Sequence, residues 1–142
     1  MLATTAPAAV ATDGPASGQT VFAVMNGARE IRPDGRRHGG DPDGRGSFSA
    51  TVSGDQFCYG ITVSGIDTPT SAHIHKAPKT TTGPVVIPLT PPTSGDPGTS
   101  SACVTADPAL LADILAHAPQ YYVNVHNAVY PGGAVRGQLF KG

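Results

Sequence analysis

No stretch of this 142-residue chain approaches the roughly 20 consecutive apolar residues that a membrane-spanning helix needs, so no helical span is expected. Charge is scarce too. There are 9 lysines and arginines against 10 acids, a net charge of −1 and a charged fraction of 13%. Binding a phosphate backbone takes a basic stripe, and none is present, which argues against nucleic acid as a partner. The one basic cluster, Arg36-Arg37-His38, stands in a glycine-rich stretch with Asp34, Asp41 and Asp43, and reads as a solvated loop. A G-x-S-x-G elbow, a phosphate loop and a C-x-x-C pair are all missing. Hydrolase, nucleotide and dithiol chemistries lose support accordingly. Only two cysteines occur, Cys58 and Cys103. Their spacing leaves two readings open. They are buried free thiols, or they form a disulfide that closes a 45-residue loop. The disulfide would stabilise by about 4 kcal/mol and imply an oxidising compartment.

Turn formers, in contrast, are abundant. The 18 glycines and 14 prolines fit many short strands joined by turns rather than a helical bundle. The length suits one domain, able to bury roughly 70% of the surface of its unfolded chain. Residues 1–19 are mostly Ala, Thr, Pro, Ser and Gly and lack the basic and apolar regions of a complete signal peptide. They are expected to be a disordered leader or linker, the remnant of a processed export signal behind a start Met. The folded domain is expected over residues 20–142.

Alternation of apolar and polar residues predicts strands over Gln19–Met25, Ser47–Val52, Gln56–Ser64, Ser71–His75, Ser101–Thr105, Tyr121–His126 and Ala134–Phe140. The apolar run Val85–Leu89 adds another, placed at an edge by Pro84 and Pro88. The turn Ser53-Gly54-Asp55 should join two of them in an antiparallel hairpin. One helix is expected, capped by Asp107, with Pro108 at its first position, an apolar stripe of Leu110, Leu111, Ile114 and Leu115, and a stop at Pro119. Seven or eight short strands and one crossover helix make an all-β domain with the strand count of a β-sandwich.

Several separate segments resemble the CHRD (chordin-type) domain. Asn26-Gly27-Ala28-Arg29-Glu30 is similar to the family's L-x-G-x-x-E-V-P, although Ile31-Arg32-Pro33 replaces its last residues. Ala72-His73-Ile74-His75 is followed by Gly83-Pro84-Val85-Val86, with Lys76-Ala77 where Arg-Gly or Lys-Gly is common. Tyr121-Tyr122-Val123-Asn124-Val125-His126 and Pro131-Gly132-Gly133-Ala134-Val135-Arg136-Gly137-Gln138-Leu139 complete the series. The resemblance implies an immunoglobulin-like Greek-key β-sandwich related in shape to copper–zinc superoxide dismutase. It also implies an extracellular setting, since animal chordins are extracellular proteins that bind growth factors, and it supports pairing of Cys58 with Cys103.

Three histidines supply the chemical lead. His73 and His75 are two apart, so in a strand they share a face about 6.5 Å apart. His126 ends another strand, with Asn124 and Tyr122 on its face. Three imidazoles from two strands suit copper or zinc. The related superoxide dismutases hold copper with an H-x-H pair and further histidines, but no counterpart of their bridging histidine or its Asp is evident here. His38, in the Gly-rich loop, is a weaker candidate for a fourth ligand that swings in, whereas His117, in the last helical turn, reads as structural. Glu30 and Arg136 read as a partly buried salt bridge, or else as pocket residues beside the histidines. Tyr121 and Tyr122 point to opposite faces, one to the core and one toward a site. The leading expectation is an exported metal-binding domain using His73, His75 and His126, with Asn124 and Glu30 around them. The rivals are a metal-free module binding an extracellular protein or glycan, and a metal-free acid–base enzyme with a His/Glu/Arg pocket.

Overall fold

The computed structural model describes residues 18–142. The leader expected over residues 1–19 falls almost wholly outside them, and Gln19 already opens the first strand. Nine strands follow in chain order: β1 (Gln19–Asn26), β2 (Arg45–Ser53), β3 (Gln56–Ser64), β4 (Pro69–Lys76), β5 (Val85–Leu89), β6 (Gly98–Thr105), β7 (Tyr121–Asn127), β8 (Val135–Gln138) and β9 (Phe140–Lys141). One α-helix, α1 (Pro108–Ala116), lies between β6 and β7.

Every strand pair is antiparallel. The pairing forms one continuous path, β5-β4-β7-β8-β1-β2-β3-β6, with β9 on β1. The expected all-β class is therefore present, but the strands make one barrel-like sheet where a sandwich would have two separate ones. The two ends of the path meet just beyond β5. There the Thr90 N–H donates to the Tyr59 hydroxyl at 2.7 Å, and the Ser100 hydroxyl donates to the Thr90 carbonyl at 2.7 Å. The prolines of β5 sit at an end of the path, where a missing N–H breaks no internal ladder.

The core fills the inside of this sheet. Alternate residues point inward: Val21, Ala23 and Met25 from β1, Phe48, Ala50 and Val52 from β2, and Phe57, Tyr59, Ile61 and Val63 from β3. The helix begins as its sequence predicts, with the Asp107 carboxylate accepting from the Ala109 N–H at 2.9 Å. It inserts Leu111 and Ile114 fully into the core, while Leu110 and Leu115 pack at the rim. The single last strand expected over 134–140 is split instead. At Leu139 the N–H bonds to Tyr121 of β7 at 2.9 Å, and the chain then crosses to pair Phe140 with Phe22 of β1.

Cys58 and Cys103 are bonded, and they are direct register partners across β3 and β6. Their Cα atoms are 3.9 Å apart, closer than the usual range of about 4.4–6.8 Å, because they face each other on neighbouring strands. The bond pins β6, which the path leaves at an end, to the central hairpin. Reduction is expected to lower the unfolding free energy by about 4 kcal/mol, the loop-entropy value for a 45-residue separation. Urea unfolding with and without reductant measures this. Coincident curves would show that the ladder alone holds β6.

Candidate metal centre

The outer face of β4, β7 and β8 is unlike the rest of the sheet. On β7 the residues Tyr121, Val123 and Val125 face the core, and Tyr122, Asn124 and His126 face outward. Those outward side chains are nonetheless covered. Tyr122 and Asn124 are each 2% exposed, and Arg136 of β8 is 1% exposed. A polar layer buried on the outside of a barrel needs a lid, and the long loops supply it. Loop 31–44 folds back on the preceding turn through His38 N–H to Ala28 O and Gly40 N–H to Gly27 O, and reaches the β7–β8 connection through Asp41 N–H to Ala134 O. Gly133 lies at φ +133°, and a side chain there would overlap the Glu30 carboxylate. The loop after β4 closes through Lys76 N–H to Pro84 O at 3.1 Å.

Register then decides which residues meet. His73 lies opposite Asn124 and His75 opposite Tyr122, while Arg136 lies opposite Asn124 from the other side. The sequence left the face of Arg136 open, and the pairing puts it on the histidine face. His73, His75 and His126 converge, with one candidate ligand nitrogen from each within 4.8 Å of the others. Two of the rings are fixed by backbone carbonyls. His75 Nδ1 bonds Gly83 O at 2.9 Å, and His126 Nδ1 bonds Pro131 O at 2.9 Å. A carbonyl can only accept, so both Nδ1 atoms carry the proton and both Nε2 atoms present a lone pair. Among the described residues His75 Nε2 is buried without a hydrogen-bond partner, beside the Asn124 amide whose Oδ1 is equally unpartnered. His126 Nε2 lies 3.1 Å from His73 Nδ1. Without a metal, His73 Nδ1–H donates across that gap.

Burial lowers the pKa of all three imidazoles. For His73 the neighbouring His126 and His75 add to it. For His75 and His126 the desolvation outweighs the carbonyl bonds that favour a charged ring. The rings are thus held neutral, the form that ligates.

Tyr122 completes the wall. Its ring stacks flat on His75, centroids 4.7 Å apart and planes 1° apart, and the Arg136 guanidinium carbon lies 3.4 Å from its centroid. Because β7 runs between β4 and β8, the ring is held between the two. Tyr121 is the core member of the pair.

Glu30 and Arg136 are both buried, but no ion pair joins them among the described residues. Arg136 Nη2 donates instead to Pro78 O and Gln138 Oε1, each at 3.0 Å, while Nη1 has no partner. Desolvation raises the Glu30 pKa to about 8, against the opposing pull of Arg136 and Asn124. A carboxyl that stays largely neutral forms no ion pair. His38, exposed in its loop with φ +64°, does not join the cluster, and His117 bonds Asp113 at 3.1 Å on the surface of α1.

An all-β domain with three neutral imidazoles under a loop lid is the class this geometry defines. The sequence model of the CHRD domain matches residues 21–139, nearly the whole described chain. The protein belongs to the CHRD domain family. No curated protein and no solved structure matches it. Among the described residues no helix is long and apolar enough to cross a membrane.

Proposed function

We propose that this CHRD domain is an exported metal-binding domain in which His73, His75 and His126 hold one copper or zinc ion. The observation that carries the proposal is the pairing of carbonyl-fixed tautomers with a buried, partnerless Nε2 on His75. An imidazole nitrogen costs about 1–3 kcal/mol when buried unbonded, and an ion removes that cost. Nitrogens that share one tetrahedral ion at bonds of ~2.0–2.1 Å lie about 3.3–3.4 Å apart. The set here spans up to 4.8 Å, so the widest pair would have to close by about 1.5 Å, which ring rotations of under about 1 Å on each side supply. His73 would change tautomer on binding, Nδ1 losing its proton to solvent and Nε2 taking one up, so that the ring stays neutral. Three protein ligands leave one position for water or an exogenous ligand. Export fits the disulfide, which persists in oxidising compartments. The strand order fits the Greek-key, superoxide-dismutase-like arrangement, since β3 neighbours β6 and β4 neighbours β7 in place of hairpin sequence.

Calorimetric titration of chelator-washed, untagged protein with Cu(II) and with Zn(II) tests this. One ion per chain is expected, with a raised melting temperature at saturation. A flat titration for both metals would overturn the proposal.

A further inference from the structure

Beyond the Tyr122 and Arg136 wall lies a half-open cavity of about 720 Å³. Four cations border it, Arg29, Arg37, Lys79 and Arg136, and among the described residues no acidic side chain does. The chain has 9 basic residues and 10 acids, so the grouping does not reflect an overall excess of cations. The ion pairs among the described residues engage Arg36, Lys76 and His117 and none of these four. Arg136 lies on the cavity wall, almost fully buried. One of its terminal nitrogens is spent on Pro78 and Gln138, and the other, without an acceptor, is closed off from solvent, so Arg136 gives the wall its charge while Arg29, Arg37 and Lys79 supply the donors. Glu30 does not supply one, as no ion pair joins the two. The rest of the lining is different in character. Val24 and Phe140 are 55% and 48% exposed, and Phe140 stacks on Phe22 at 5.8 Å beside the opening.

A cavity of this size suits a small organic molecule, and a few charged groups in an apolar lining fix its orientation. Planar guanidinium groups match a carboxylate through paired N–H donors. We infer that this cavity binds a small organic anion, a carboxylate on an apolar body. The carboxylate lies among Arg29, Arg37 and Lys79 at the Arg136 wall, and the body rests on Val24 and Phe140. The site is separate from the histidine cluster and does not depend on a metal.

The test is a nitrogen-15 NMR titration of the intact chain with benzoate, with the neutral isostere benzamide and with inorganic phosphate. Gln138 and Lys79 amide signals report on the cavity. Benzoate is expected to give saturable shifts there, and benzamide to bind at least about tenfold more weakly. Phosphate should also be weaker than benzoate, because it makes no use of the apolar wall. Arg37 and Lys79 are exposed, so the Arg37→Gln, Lys79→Gln double variant keeps the fold, which its spectrum checks directly. It should weaken benzoate about tenfold, whereas His126→Ala should leave benzoate binding unchanged. Equal binding of benzamide, full benzoate affinity in the double variant, or no saturable shift would each overturn the anion site. Tighter binding of phosphate than of benzoate would overturn its assignment to a carboxylate on an apolar body.

Discussion

Alanine at His126 is expected to lower Cu(II) or Zn(II) affinity by more than about 100-fold, the upper end of what losing an outer-shell partner costs. His126 does two things. Its Nε2 is one of three candidate donors, and it comes from a different strand than the other two. Removing it leaves an H-x-H pair on β4 alone, which any exposed strand could offer. His73→Ala should cost a similar amount, because His73 Nδ1 lies 3.1 Å from the same nitrogen. His117→Ala should change nothing, since His117 sits at the surface end of α1. Protons should compete in a defined window. All three imidazoles have pKa values lowered from 6.5, chiefly by burial. Affinity should then hold steady from pH 8 down to about 6.5 and weaken only below it. Competition with a chelator, repeated across that range, measures both effects. Parent affinity in the His126 variant would sink the three-ligand site. A large loss in the His117 variant would assign the metal to surface histidines instead.

Much of the frame was legible because it follows from period and punctuation. Asp107-Pro108 starts the helix as capping chemistry requires, and β3 alternates cleanly between core and surface. The convergence of the histidines was legible too, since i,i+2 spacing on β4 fixes two of them. What could not be read depends on register and on loops. The sequence does not say that Asn124 sits between His73 and Arg136, because one residue of slip in the last hairpin would turn Arg136 inward. Nor does it say that the loop returning at Gly83 and the turn at Pro131 place their carbonyls on Nδ1 atoms. Those contacts come from backbone atoms, which carry no residue-type signal. Tyr121 and Tyr122 were recognisable as facing opposite ways, but the place of Tyr122 between His75 and Arg136 required three strands to be seen at once. The expected Glu30–Arg136 bridge failed for an energetic reason. Burying a carboxylate costs more than one nearby guanidinium returns when the two do not touch.

That failure leads to an unusual pH dependence. In chelator-washed protein the Glu30→Gln variant is expected to gain stability over the parent as pH rises. The folded-state pKa of Glu30 is raised from 4.5 to about 8 by burial, so the folded protein holds this proton more tightly than the unfolded chain does. The contribution is fully present below pH 4.5 and is lost progressively as pH rises through about 8. At 1.36 kcal/mol per unit, the whole change is about 5 kcal/mol. Glutamine has nearly the same shape and no proton to lose, and its stability lacks this fall. The three histidines act in the opposite sense. Their folded pKa values are lowered, so their contribution is lost as pH falls below 6.5. In the parent the two trends should combine into a maximum near pH 6.5. Both proteins share the histidines, however, so the difference between their urea-unfolding free energies isolates Glu30. It should climb by about 5 kcal/mol between pH 4.5 and 8 and level off beyond. A flat difference would mean that Glu30 ionises as it does in the unfolded chain. A difference that falls with pH would mean that Glu30 is held charged by Arg136, restoring the salt bridge that the buried, partnerless Oε1 and Nη1 argue against.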